Sequence, residues 1–169
     1  KDWPIVRHGT ASPYAAMDYL KGFYQGRPVV GYKCPPGTRG RYFYNDEMTG
    51  LNFERTRVQL TEYMDCIRGV MGGEDAASYY IGSADLDIYL PGFRGGNDLV
   101  LNDPMFAANP PTVSIWIGNR TIATAHYDMS NNIACCLVGK RRFTLFPPEE
   151  VENLYPGPLE PTPGGQVVS

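Results

Sequence analysis

The sequence predicts a mainly β domain that begins with a mixed α+β portion. Its 19 glycines and 15 prolines among 169 residues favour many turns and short elements over long helices. After residue 111, β-prone segments recur roughly every eight to twelve residues, which is typical of an antiparallel sandwich or barrel. The length suits one domain, and the 43% hydrophobic residues can build a core. We therefore expect an N-terminal α+β portion over 1–111 and a strand-rich portion over 112–169.

The first portion is expected to contain two helices and three short strands. Ser12-Pro13 begins the first helix with proline at the first helical position, apolar residues follow at helical spacing over 14–24, and Gly26 ends it. A second helical pattern starts at Thr56 and closes at Gly72-Gly73. The remaining segments are strands at 29–32, 41–44 and 78–81, and a long irregular connection over 82–111.

The second portion is expected to form the sheet that defines the fold class. Strands are predicted at 112–117, 121–125, 132–138 and 141–146, with a helical turn at 149–154. Residues 166–169 look like the start of a further strand. Because the sequence stops within that strand, we expect the sheet of this chain to be incomplete at its C-terminus.

Charge and cysteine content exclude several function classes. With 18 acidic against 15 basic residues, the chain lacks the basic balance expected for nucleic-acid binding. No apolar run approaches the roughly 20 residues that cross a bilayer, and no leader-like segment opens the chain, so we expect a soluble cytoplasmic protein. The four cysteines form no CxxC pair and are expected to be reduced and mostly buried.

Only two histidines are present, and one of them has a chemically suggestive neighbour. His8 has no acidic partner at a useful spacing and is expected to be a surface or locally hydrogen-bonded residue. His126 and Asp128 are two residues apart, so in a strand both side chains project to one face. That arrangement supplies two thirds of the facial triad that binds non-haem iron. The alternative is a strand-end histidine hydrogen-bonded to an aspartate in a turn.

The surrounding residues resemble those of a known family. The segments 114–118, 124–128, 139–148 (GKRRFTLFPP) and 154–156, together with Asn132, are similar to the cupin-like JmjC hydroxylases. This family of Fe(II)- and 2-oxoglutarate-dependent oxygenases includes the asparaginyl hydroxylase called factor inhibiting HIF. The close likeness spans 112–156, and the N-terminal portion resembles bacterial members more loosely. The resemblance implies a double-stranded β-helix, the cupin or jelly-roll fold.

The resemblance also assigns roles to individual residues. His126 and Asp128 match the first two iron ligands. The residues that it implies for binding the co-substrate 2-oxoglutarate are Arg141, Asn132 and Tyr80. The family commonly has a hydroxyl-bearing residue three positions before the metal histidine; that position is Ala123 here, and the neighbouring Thr124 is the candidate substitute. Arg141 stands where the family usually has a lysine for the distal carboxylate, and arginine binds carboxylates bidentately. Alternatives remain for two of them, since Arg141 could be a solvated strand charge and Tyr80 a core aromatic residue.

The family's second metal-binding histidine has no counterpart here, because no histidine follows His126. Two explanations are open: the chain is part of a longer protein, or it is a truncated homologue that has lost the metal.

The function expected from the resemblance is hydroxylation of a protein side chain or small molecule, with succinate and CO₂ as co-products. The expected partners are 2-oxoglutarate, O₂ and that substrate, without nucleic acid or membrane. A homodimer is implied by the resemblance alone. The alternative function is a non-catalytic cupin-like binding module or an inactive fragment. A sugar-isomerase-type cupin would require more histidines than this chain has.

Overall fold

Helices cover one face of a four-stranded antiparallel sheet. The structure is a computed structural model that describes residues 2–158, 160, 162, 163 and 168. In spatial order its strands are Glu54–Val58 (β3), Val29–Cys34 (β1), Ser78–Asp85 (β4) and Ser114–Gly118 (β5), and a short parallel pair, Arg41–Tyr42 (β2) with Ile122–Ala123 (β6), lies against part of the second face. Antiparallel sheets commonly bury one face and leave the other open. Here the second face is only partly open, because Tyr42 of β2 is buried against Tyr80.

The elements are short, as the glycine and proline content predicts. The α-helices are α1 (Pro4–Ala11), α2 (Pro13–Lys21), α3 (Leu60–Val70), α4 (Leu86–Tyr89) and α5 (Pro104–Ala108). The strands are β1 (Val29–Cys34), β2 (Arg41–Tyr42), β3 (Glu54–Val58), β4 (Ser78–Asp85), β5 (Ser114–Gly118) and β6 (Ile122–Ala123). Two 3₁₀ helices span Phe93–Gly95 and Pro148–Leu154, the second at the predicted helical turn.

The core lies between the sheet and the helices. Helix α3 buries Leu60, Tyr63, Met64 and Ile67, which recur every three or four residues along one face. They pack with buried residues of the sheet, among them Val29, Ile81, Ile115 and Ile117. Each fully buried aliphatic side chain contributes about 1.5–3 kcal/mol, so this interface holds the helical layer on the sheet.

The predicted start of the first helix, at Ser12-Pro13, is confirmed. The Ser12 hydroxyl accepts a hydrogen bond from the Ala15 amide, and Pro13 occupies the first helical position. The helix ends at Lys21, earlier than Gly26, because the Gly22 amide already bonds back to Tyr19 and Leu20. The sequence analysis missed α1. This helix contacts α2 and buries Ile5.

Two predictions for the middle of the chain are corrected. The second helix is confirmed as α3 but begins at Leu60 and not at Thr56, because residues up to Val58 form β3 and pair with β1. The 82–111 connection is ordered by local contacts: it contains the end of β4, α4, one 3₁₀ helix and α5. The Asp85 carboxylate caps α4, and Arg94 bridges Asp87 and Asp98.

Several predicted strands of the second portion are not hydrogen-bonded in ladders. Residues 132–138 and 141–146 are extended without a paired neighbour among the described residues, and the strand at 121–125 is reduced to β6. A strand is completed by its partner, so β propensity alone does not produce one. The strand predicted at 166–169 lies outside the described residues, apart from Val168.

Burial corrects the expectation for the cysteines. The four cysteines are free, but only Cys34 is buried while the other three are exposed. On strand β5, Ile115 and Ile117 point to the helices, which leaves Trp116 on the other face and 48% exposed. Within the described residues, no helix combines the length and apolar character that crossing a bilayer requires.

Replacing Ile67 with alanine should destabilise the domain by about 2–5 kcal/mol, because this fully buried side chain fills the interface between α3 and the sheet. Urea unfolding would measure the loss. Cys66→Ala is the matched control, since the neighbouring side chain is exposed and should change stability by less than about 0.5 kcal/mol. Equal losses in both variants would contradict this packing.

Candidate active site

His126 and Asp128 face each other just after β6. The His126 Nε2 atom lies 4.0 Å from Asp128 Oδ1, and both side chains are partly exposed. On the other side of the ring, Nδ1 lies 2.7 Å from the Thr124 carbonyl oxygen. A carbonyl oxygen only accepts, so Nδ1 is the donor in this contact, and Nε2 is the ring nitrogen that faces Asp128.

Backbone and amide groups orient this pair. Thr124 is buried, and its carbonyl fixes the tautomer and the direction of the imidazole, as the outer partners of metal-binding histidines do. The Asn132 side-chain amide lies 3.4 Å from Asp128 Oδ2 and 3.5 Å from the Ser130 carbonyl. Asn132 is therefore placed beside the carboxylate that the sequence predicts to be a ligand.

Tyr80 lies flat on the open face of the sheet, over two glycines. Gly82 follows it on the same face of β4, and Gly118 is its direct partner on β5. A Cβ at Gly82 would lie 3.0 Å from Cε1 of Tyr80, and one at Gly118 would lie 3.2 Å from Cδ2. Strand β4 bulges between Ile81 and Ala84, with Ser83 at a φ of 51°. Bulges of this kind often redirect side chains near functional sites.

Arg141 meets the Tyr80 hydroxyl. Burial raises the pKa of Tyr80 to about 12, while the positive charge and the hydrogen bond of Arg141 oppose that shift. The phenol is therefore protonated across the physiological range and is available as a hydrogen-bond donor. The Arg141 guanidinium also lies 5.9 Å from the centre of the Phe143 ring.

Comparison with known families identifies the domain. The model of the cupin-like domain family matches residues 1–169, the full length of the sequence. The chain belongs to the cupin-like domain family. The predicted cupin-like, JmjC-type relationship is thus confirmed, and it extends beyond 112–156 to the N-terminal portion. The closer likeness to an asparaginyl hydroxylase stays a prediction.

Two curated relatives of this cupin-like domain carry JmjC names. "JmjC domain-containing protein D" of Dictyostelium discoideum is 40% identical over 92% of this chain and 35% of that protein. "Jumonji C domain-containing protein 5" of Drosophila melanogaster is 25% identical over 76% of this chain and 32% of that protein. The chain spans about a third of the length of these relatives. No solved structure matches it significantly.

The predicted site residues of the cupin-like domain form two groups. One surrounds the imidazole and carboxylate of His126 and Asp128, and the other is the contact of Tyr80 with Arg141. In the described part of the chain, no three histidine, cysteine or acidic side chains cluster as a complete metal site. The His126–Asp128 distance also suits the simpler contact of a histidine with a nearby aspartate, so the metal role stays a prediction.

Sequence reasoning missed Gly82 and Gly118. The sequence places Gly82 at the start of the predicted 82–111 connection and Gly118 in the turn between two predicted strands. In the structure both glycines lie under the Tyr80 ring. A signal existed for Gly82, because a glycine two residues from an aromatic side chain in a strand often marks a close approach. Gly118 gave no such signal, since it meets Tyr80 only through the pairing of β4 with β5.

Replacing Arg141 with glutamine should raise the pKa of Tyr80 above its value of about 12, because the tyrosinate loses a neighbouring positive charge. NMR titration of the tyrosine Cζ signals, with Tyr80→Phe to assign the resonance, would measure the change. Arg142→Gln is the control: it alters the next side chain, and the Tyr80 pKa should stay constant. An unchanged Tyr80 pKa in Arg141→Gln would contradict the contact.

Proposed function

We propose that this cupin-like domain is the catalytic part of an Fe(II)- and 2-oxoglutarate-dependent oxygenase that hydroxylates a protein side chain or a small molecule. The observation that carries the proposal is the His126–Asp128 pair. One nitrogen of the ring is fixed by the Thr124 carbonyl, and the other faces the carboxylate. Membership of the cupin-like family and the JmjC names of the relatives support the same reaction class.

The donor types of the pair suit a divalent iron. An imidazole nitrogen and a carboxylate oxygen are donors of the facial triad, and the two atoms lie 4.0 Å apart, about 1 Å more than adjacent ligands with bonds of about 2.1 Å, so the side chains would close slightly on the ion. His126 and Asp128 would hold the ion, with the third protein ligand outside the set that the described residues supply. Bound iron supplies the oxidation, in which 2-oxoglutarate and O₂ yield the hydroxylated product, succinate and CO₂.

Tyr80 and Arg141 would anchor 2-oxoglutarate. The Arg141 guanidinium offers two parallel donors to the distal carboxylate, and the protonated Tyr80 hydroxyl adds a third. Gly82 and Gly118 leave room for the Tyr80 ring, since a Cβ at either position would come within 3.0–3.2 Å of it. Asn132 would contribute by holding the Asp128 carboxylate, and the buried Thr124 would contribute its hydroxyl.

The remaining parts of the proposal concern the setting of the domain. We propose a double-stranded β-helix to which residues 112–169 contribute strands and on which residues 1–111 pack. We also propose a cytoplasmic protein that can form a homodimer and has neither nucleic acid nor a membrane as a partner. These statements rest on the family resemblance and on composition.

Replacing Asp128 with alanine should abolish iron-dependent turnover of 2-oxoglutarate and weaken Fe(II) binding by more than about tenfold, since one of the proposed ligands is lost. Succinate formation and anaerobic Fe(II) titration would measure the two effects. Asp46→Ala, which removes an exposed carboxylate from the turn after β2, is the control.

Unchanged succinate formation and Fe(II) affinity in Asp128→Ala would exclude His126 and Asp128 as the metal site. Wild-type protein that binds Fe(II) and 2-oxoglutarate but forms no succinate would favour the alternative, a non-catalytic binding module.

Replacing Gly82 with alanine should raise the KM for 2-oxoglutarate several-fold and leave Fe(II) affinity unchanged. The new methyl group would contact the Tyr80 ring at 3.0 Å, and the ring would move because its end is more mobile than the strand. Steady-state kinetics and Fe(II) titration would separate the two quantities. Gly69→Ala is the matched control, since nothing lies within 4 Å of a Cβ there. The same KM in both variants would show that Tyr80 does not anchor the co-substrate.

A further inference from the structure

Some cations of this chain are paired with carboxylates and others are not. Lys21, Arg68 and Arg94 lie in the helical layer, and each contacts one or two aspartates. A second set lies on strand β3 and just after Gly139: Arg55, Arg57, Lys140, Arg141 and Arg142. We call this second set the cationic face. Within the described residues, none of its members forms an ion pair with a carboxylate, although the chain as a whole carries a net charge of −3.

Strand register places Arg55 and Arg57 on the face that carries Tyr80. Arg55 is the direct partner of Tyr32, and Tyr32 is the direct partner of Tyr80. Directly opposed residues of antiparallel strands share a face, so Arg55 lies two strand spacings, about 10 Å, from Tyr80. Arg57 follows two residues later on the same face. Glu54, the acidic residue of β3, points the other way, opposite Lys33.

Of the other three cations, Arg141 lies beside Tyr80 at the inner end of this row. Lys140, Arg141 and Arg142 line an open concavity together with Cys136 and Gly139, and no acidic residue contributes to its wall. Between Arg141 and Arg55 the row carries the rings of Tyr80 and Tyr32, and Tyr42 packs against Tyr80. Cations therefore lie at both ends of the row, with aromatic side chains between them.

We propose that the cationic face binds an acidic, extended segment of a polypeptide substrate. This inference rests on the proposed function, in which Arg141 is already engaged by 2-oxoglutarate, and it adds the class of substrate. Strand β3 is an edge strand with four exposed residues, so its outer backbone groups can pair with an added strand. Carboxylates at alternate positions of that strand repeat about every 6.8 Å, which matches the spacing of Arg55 and Arg57.

Other occupants fit less well. A nucleic acid would meet cations here but would be repelled by the remainder of a chain with a pI near 5.3. Charged residues on an edge strand also protect a sheet from pairing with another sheet. That protective role requires charge of either sign, whereas binding of an acidic segment requires positive charge. Charge reversal therefore separates the two explanations.

The test measures the affinity of the protein for a fluorescent peptide of about ten residues in which aspartate alternates with alanine. Fluorescence anisotropy at low salt reports the binding. Its counterpart has asparagine in place of aspartate. The double variant Arg55→Glu/Arg57→Glu should weaken binding of the aspartate peptide by about tenfold or more, and added salt should weaken binding to the wild type. The control Arg7→Glu/Arg27→Glu makes the same change in net charge at exposed positions outside the cationic face.

The outcomes are distinct. Loss of binding in Arg55→Glu/Arg57→Glu but not in Arg7→Glu/Arg27→Glu would support the proposal. Equal losses in both double variants, or equal binding of the aspartate and asparagine peptides, would overturn it. If the reversed variant does not fold by circular dichroism, Arg55→Gln/Arg57→Gln provides the same comparison. The assay needs neither iron nor turnover, so it tests peptide binding separately from catalysis. If the protein binds the peptide but forms no succinate, the oxygenase proposal is contradicted and the peptide-binding proposal is not.

Discussion

Strand β4 has partners on both sides, and both layers of the molecule depend on this pairing. It is hydrogen-bonded to β1 along one edge and to β5 along the other. One face of β4 sends Ile81 and Ala84 into the core beneath the helices, while the opposite face carries Tyr80. Fixing this strand therefore fixes the helical layer and the position of the tyrosine together. The bulge between Ile81 and Ala84 divides the pairing of β4 with β5 into two registers, while β1 pairs with β4 only before the bulge, at 78–80.

The sequence predicted those parts of the fold that local signals specify. Ser12-Pro13 starts a helix through its own hydroxyl and ring, and the apolar spacing within 60–70 suffices to recognise α3. Strand β3, by contrast, has exposed residues at four of its five positions, and only its ladder with β1 makes it a strand. The segments 132–138 and 141–146 show the converse: their β propensity is high, but the described chain gives them no neighbour to pair with.

The candidate site shows the same division between local and distant contacts. His126 and Asp128 could be associated from the sequence because two residues of an extended chain share a side, and the structure does bring them together. The neighbourhood of Tyr80 and Arg141 was accessible only through family resemblance, since the two residues lie in different parts of the chain. The position of Gly82 and Gly118 beneath the ring could be found only from the three-dimensional structure. The lack of a side chain matters there because of the ring beside it, and the sequence does not show that neighbour.

The buried tyrosines set an alkaline limit to this domain. Burial raises the pKa of Tyr42 and of Tyr63 well above the usual value near 10, in addition to that of Tyr80. In the unfolded chain the same phenols lose their protons at about pH 10, so the folded state holds these protons more tightly. Their contribution to stability is therefore complete below about pH 10 and falls as the pH rises beyond it. Tyr42 also donates to the backbone carbonyls of Tyr32 and Ser78, so its ionisation would break the link between β2 and the main sheet.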